Sequence, residues 1–111
     1  MASKGLMAAS TKPIILTILK GGKNYGYYIT QRVKELSGGS LEWSDGMLYP
    51  VLHRLEKEGF VASEWMITGT GRRRKYYYIT ELGKLELISE KENWMSVHAV
   101  FAQLWQLKPA V

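Results

Sequence analysis

Ser44-Asp45-Gly46-Met47-Leu48-Tyr49-Pro50-Val51-Leu52-His53-Arg54-Leu55-Glu56-Lys57-Glu58-Gly59 is the stretch from which the rest of the chain can be read. Ser44 is a candidate N-cap, and Asp45 after it lies against the positive end of a helix dipole. Leu48, Val51, Leu52 and Leu55 recur at the spacing of one buried helix face, and Gly59 supplies the stop. At about 100° per residue, the opposite face carries Gly46, Pro50, His53 and Lys57, with Tyr49 and Arg54 on its flanks. A helix this short, with an uncharged core face and a polar outer face, is built to pack on other helices while presenting something outward.

Upstream, Pro13-Ile14-Ile15-Leu16-Thr17-Ile18-Leu19 reads as a first helix opened by Pro13 and stopped at Gly21-Gly22. A proline inside a helix removes a backbone hydrogen bond, so Leu6, Met7, Ala8 and Ala9 are expected to form a separate turn or to join across a kink. A second helix runs from about Tyr25 to Leu36, with Tyr25, Ile29, Val33 and Leu36 on one stripe and Ser37-Gly38-Gly39-Ser40 as its end.

Downstream, Phe60 to Met66 and Lys75 to Ile79 are rich in aromatic and β-branched residues and flank Thr68-Gly69-Thr70-Gly71, the pattern of a β-hairpin. Thr80 can cap a last helix reaching about Leu107, where Lys108-Pro109 stops it. At 1.5 Å per residue it is about 40 Å long. The expected fold is mainly α with a small β-hairpin: a winged helix-turn-helix DNA-binding domain over residues 1–80, then a long C-terminal dimerisation helix over 81–111.

Composition sets bounds on this chain of 111 residues. An apolar share of 46% supports an ordinary core, and 15 Lys+Arg against 10 Asp+Glu give a net charge of +5, suited to a polyanion or an anionic membrane surface. The absence of cysteine excludes disulfides, cysteine-zinc sites and thiol nucleophiles. Ser10, Thr11, Lys12 and Pro13 interrupt any signal-like apolar run, and no apolar stretch is long enough to span a bilayer, so a soluble, cytoplasmic protein is expected. His53 and His98 are far apart, no metal-binding His-Glu helix motif occurs, and Gly69-Thr70-Gly71 lacks the remainder of a phosphate loop. Neither catalysis, a metal nor a cofactor is expected.

Double-stranded DNA is the partner that the order of elements favours, because the third helix can lie in a major groove. Tyr49 and His53 can bond to bases or phosphates, Pro50 can touch a thymine methyl, and Arg54 lies at the edge of the same face. The plainer alternatives are a half-buried core aromatic for Tyr49 and a solvated helix residue for His53. Arg72-Arg73-Arg74-Lys75 follows the hairpin turn and places four cations at the wing, where they would meet phosphates; strand alternation turns only part of the run to one side. A solvated charge run is the alternative.

In the last helix Leu87, Trp94, Val97, Phe101 and Leu104 form a seam too long for one small domain to cover, which points to a homodimer. Across a two-fold axis Trp94 could face its own copy and form a slot for a planar aromatic ligand, with His98 beside it; otherwise Trp94 fills the interface. The function expected is sequence-specific transcriptional regulation. The alternative is a winged-helix protein-interaction module without specific DNA binding.

Leu48-Tyr49-Pro50-Val51-Leu52-His53-Arg54-Leu55-Glu56-Lys57-Glu58-Gly59-Phe60-Val61, then Gly71-Arg72-Arg73-Arg74-Lys75-Tyr76-Tyr77, then Ile79-Thr80-Glu81-Leu82-Gly83, resemble the PadR family from about Ile14 to the end of the chain. The match is to its short form, with one helix after the winged domain. The resemblance implies a bacterial homodimeric regulator, usually a repressor, on a pseudo-palindromic operator, often released by a phenolic acid or a planar drug. It further implies DNA contacts near Ser44, Tyr49 and His53 and at Arg72, Arg73 and the adjoining cations. The chain departs from the family pattern at Asp45-Gly46-Met47, so operator preference does not carry over.

Overall fold

Helices and hairpin follow one another in the expected order in a computed structural model, which describes residues 3–106. The elements are α1 (Lys4–Lys20), β1 (Asn24–Tyr25), α2 (Gly26–Leu36), α3 (Asp45–Lys57), β2 (Val61–Ile67), β3 (Arg73–Ile79) and α4 (Glu81–Trp105). The strands form one antiparallel sheet in the order β1-β3-β2. The third strand, β1, has only two residues and so carries no periodicity that a sequence can display.

α1 runs on through Pro13, so the residues before the proline form no separate turn. It is one helix from Lys4, capped by the Ser3 hydroxyl, with Pro13 inside it. Thr11 is buried and Met7 packs on the core, so residues on both sides of the proline are held by tertiary contacts that offset the missing backbone bond. Hydroxyls of Ser10, Thr11 and Thr17 donate to the carbonyls of Met7, Ala8 and Pro13 at 2.9, 2.9 and 2.7 Å, adding local bonds around the same turn.

α3 starts as its sequence dictates, with Ser44 Oγ accepting from the Met47 amide at 3.2 Å. It ends at Gly59, whose φ of 85° lets the Phe60 amide reach back to the Leu55 carbonyl at 2.9 Å. Leu48, Leu52 and Leu55 lie fully inside, against Ile15, Leu16 and Leu19 of α1, Ile29 and Val33 of α2, and Tyr77 of β3. Leu36, expected on the buried stripe of α2, is instead exposed at the last turn of that helix, past the reach of the core.

Thr80 joins the hairpin to α4 twice: its hydroxyl donates to the Gly59 carbonyl at 2.6 Å and accepts from the Gly83 amide at 3.0 Å. Gly83 is pressed so closely on the hairpin that a Cβ there would lie 2.1 Å from the Phe60 carbonyl oxygen. Leu87 is only 2% exposed and belongs to the chain's own core, which corrects its assignment to the dimer seam. The first half of α4 is spent on α1, where Lys12 Nζ bridges Glu86 at 2.9 Å and Glu90 at 3.0 Å.

Past Trp94 this support ends. Val97, Val100, Phe101, Leu104 and Trp105 are all exposed, and residues 94–105 carry no Asp, Glu, Lys or Arg. α4 closes at Gln106, in a left-handed conformation; the stop expected at Leu107 and Lys108-Pro109 lies outside the described residues. No helix of the described residues is long and apolar enough to cross a membrane.

Candidate nucleic-acid interface

The outward side of α3 and the wing come together around one crevice of about 410 Å³. α3 contributes Tyr49 and His53, the first turn of α2 contributes Gly26 and Tyr27, and the wing contributes Trp65 and the cations Arg73 to Lys75. No carboxylate lines it. Tyr49 is 39% exposed, with its hydroxyl end against Gly26, while Pro50 and His53 are exposed on the same helix. Ser44 stands at the N-terminal edge of α3, its hydroxyl oxygen engaged as the cap.

Arg54 is not part of this grouping. It pairs with Glu58 at 3.5 Å and lines cavities formed with α1 and α4, one helical step away from His53 and on the other side of α3. The flank position read from the sequence could be turned either way, and packing turned it toward α1.

The four wing cations divide, as strand alternation requires. β2 and β3 pair with Trp65 opposite Lys75, Met66 opposite Arg74 and Ile67 opposite Arg73. Arg73 and Lys75 therefore share a face with buried Tyr77, the side toward α3, and Arg74 shares the other face with Tyr76. Arg74 is half-buried, its guanidinium 4.2 Å from the centre of the Tyr25 ring. Lys75 Nζ lies 3.9 Å from Glu56 of α3, and the Arg73 guanidinium lies over the Trp65 ring, 4.9 Å from its centre. Among the described residues Arg72 and Arg73 have no carboxylate within salt-bridge distance, so these two are the cations most available to a phosphate.

Burial pushes the Tyr77 hydroxyl above the ordinary tyrosine range, with Glu56 and Tyr49 nearby adding to the shift, so a neutral phenol forms the floor of the crevice. Tyr27 and Trp65 are functional candidates that sequence reasoning missed. Tyr27 stands off the Ile29-Val33 stripe at 63% exposure, a signal available in the helix phase. Trp65 is in phase with buried Val61, so alternation alone sends it inward, yet it stands exposed.

A second cavity, of about 680 Å³, lies between the N-terminal half of α1, the end of α3 and α4. Trp94, Val97 and Phe101 give it aromatic and aliphatic walls, and Lys12, Arg54, Glu58 and Glu90 give it charges of both signs. His98 is exposed and does not line it, while Phe101 stacks on Trp105 with ring centres 4.5 Å apart. Among the described residues no cluster of three His, Asp or Glu side chains is placed to hold a metal ion.

The sequence model of the transcriptional regulator PadR-like family matches residues 15–89. The chain is 36% identical over 87 residues to the negative transcriptional regulator PadR of Bacillus subtilis, covering 78% of this chain and 46% of that protein, so it spans about half of that relative's length. Among solved structures, a transcriptional regulator from Clostridium thermocellum superposes with a TM-score of 0.83 at 28% identity, covering 93% of this chain and 97% of the other. A PadR family transcription regulator from Clostridium difficile gives a TM-score of 0.76 at 31% identity, covering 86% and 98%.

Proposed function

Because the chain belongs to the PadR-like family of transcriptional regulators, which are DNA-binding proteins and not enzymes, we propose that it is a cytoplasmic homodimeric repressor that reads a pseudo-palindromic operator. The observation that carries the proposal is the single crevice in which Tyr49 and His53 of α3 meet Arg73 of the wing with no carboxylate among them. A helix with short Gly46 and exposed Pro50 can approach base edges closely, while Arg72 and Arg73 engage phosphates and set affinity. Ser44 would meet the backbone at the start of α3. Arg74 and Lys75 strengthen the local positive field from their places on the sheet.

The uncharged, uncovered second half of α4 supports dimerisation. Twelve residues without a formal charge, Trp94 to Trp105, are too few to span a bilayer and too apolar to stand in water, so a second copy is their natural cover. Val97, Phe101 and Leu104 are the seam, joined by Trp105. A two-fold pair would set two reading helices about 34 Å apart, one turn of DNA.

Release by a planar aromatic or phenolic molecule is part of the same proposal. The cavity beside Trp94 has the size of a small-ligand site, and it reaches the last turn of α3 through Arg54 and Glu58, so an occupant would bear directly on the reading helix. Trp94→Ala should then abolish the response to such a ligand while leaving operator binding in place.

Selection of randomised duplexes by the purified protein, at physiological salt with excess competitor DNA, tests the central reading. Recovery of an inverted repeat is the expected result. A folded dimer that enriches no sequence would overturn it in favour of a protein-interaction module.

A further inference from the structure

We propose that Trp65 is a positioning residue for DNA binding: its indole ring holds the Arg73 guanidinium on the α3-facing side of the wing, at the crevice lined by Tyr49 and His53. This rests on the DNA-binding role proposed above and gives a task to a side chain that neither the hydrophobic pattern nor the cation run singles out.

Trp65 has the strand phase of a core residue without the surroundings of one. Val61, four residues earlier on the same face of β2, is 2% exposed, and so is Tyr77 on β3; Trp65, nearer the hairpin tip, is 59% exposed. A large indole left in solvent contributes little to the core. Its contact lies instead along the sheet. Lys75, directly across, is drawn to Glu56, and Arg73, the diagonal neighbour on the same face, lies over the ring at 4.9 Å.

The kind of contact matters as much as its existence. A carboxylate partner would occupy the guanidinium's N–H donors and cancel its charge. An aromatic ring takes only the flat face, leaving the donors in the plane free to bond a phosphate or a base edge. Arg73 keeps its full charge and its donors, yet loses much of the rotamer freedom that a long cation otherwise gives up on binding. Arg74 lies over the Tyr25 ring in turn, but on the other face of β3 and half-buried, where the ring anchors the wing to the start of α2. Two adjacent arginines are thus held against two aromatic rings on opposite faces of β3, Arg73 on the face it shares with Tyr77.

A salt series of binding isotherms decides the matter, using the full chain and a mixed-sequence duplex long enough for two successive major grooves, with wild type, Trp65→Ala, Trp65→Phe, Arg73→Ala and the double variant Trp65→Ala with Arg73→Ala. We expect Trp65→Ala to weaken binding roughly two- to fivefold, the worth of an exposed cation–π contact. Trp65→Phe should recover most of that loss, and Trp65→Ala should cost nothing further once Arg73 is gone. Thermal unfolding of both Trp65 variants should match wild type. No loss on Trp65→Ala, or the same loss with and without Arg73, overturns the proposal while leaving the DNA-binding role intact. Wild type that binds with an affinity and salt slope unaffected by Arg73→Ala overturns it too, by removing Arg73 from the interface. Failure of wild type to bind any duplex overturns both.

Discussion

The Tyr49 hydroxyl lies directly over Gly26: a Cβ on Gly26 would stand 2.7 Å from Tyr49 Oη and 3.0 Å from Cζ. A residue of α3 is thereby seated on the first residue of α2, and the absence of a side chain at Gly26 sets the height of the phenol above the crevice. Gly26→Ala should push the ring outward instead of unfolding the protein, since the phenol end is at the surface and alanine favours the helix by up to about 1 kcal/mol. DNA affinity should fall roughly fivefold or more, the loss of one specific contact, with little change in thermal stability. Unchanged affinity in a titration would show that the seat of Tyr49 is irrelevant to binding.

Arg72 and Arg73 should act on affinity and His53 on choice of sequence. Substituting both arginines with alanine removes up to two phosphate contacts, so the slope of log affinity against log salt should flatten by about two, equally on operator and unrelated DNA. His53→Ala should instead reduce the ratio between the two. Parallel titrations on both duplexes check this; an equal effect of His53→Ala on each would place it off the base edges.

Val97 and Phe101 stand uncovered on α4 in a segment without charge. Replacing either with glutamate should convert the proposed dimer to a monomer in sedimentation, since a two-fold interface meets the new charge twice. Helix content of the winged part should persist. Affinity for an inverted repeat should fall by about 100-fold or more, the avidity of two linked heads.

Gly83 should tolerate no side chain. The Cβ of an alanine would overlap the Phe60 carbonyl, a backbone group that cannot swing away, and would crowd the Ile79 side chain as well. Gly83→Ala is expected to destabilise the fold by about 2 kcal/mol or more, read from the denaturant midpoint. A loss below about 0.5 kcal/mol would mean that α4 can shift on the hairpin at no cost.

Stability should decline at alkaline pH through Lys12 and Tyr77. For Lys12, burial works downward, but the hydrogen bonds and charges of Glu86 and Glu90 together outweigh it, so its pKa ends above the ordinary 10.5. Burial raises Tyr77 above the ordinary 10.0. In both cases the folded state holds its proton more tightly than the unfolded chain. The contribution is therefore fully present below about pH 10 and is lost as pH rises through the folded-state values. Denaturant midpoints should be level near neutrality and fall above about pH 10, and Tyr77→Phe should lessen the fall. A flat profile to pH 11 would contradict both shifts.

Local features were legible from residues close together in the chain. Ser44, the leucines at 48, 52 and 55 and Gly59 specify α3 because cap, period and stop all lie within one short window, and Thr80 does the same for the start of α4. The outward placement of Tyr49, Pro50 and His53 follows from that helix phase.

Tertiary structure alone decided what depends on neighbours distant in the chain. It carried α1 through Pro13, because Met7 and Thr11 have a core to pack on. It took Leu87 into the chain's own core and turned Arg54 toward α1. It paired Tyr25 with Tyr76 as a third strand and sorted four consecutive cations by their partners, Arg74 to Tyr25, Lys75 to Glu56 and Arg73 to Trp65. A period fixes which way a side chain points along its own element; how far the next element extends over it is set by packing, and that decided whether Trp65 became core or surface.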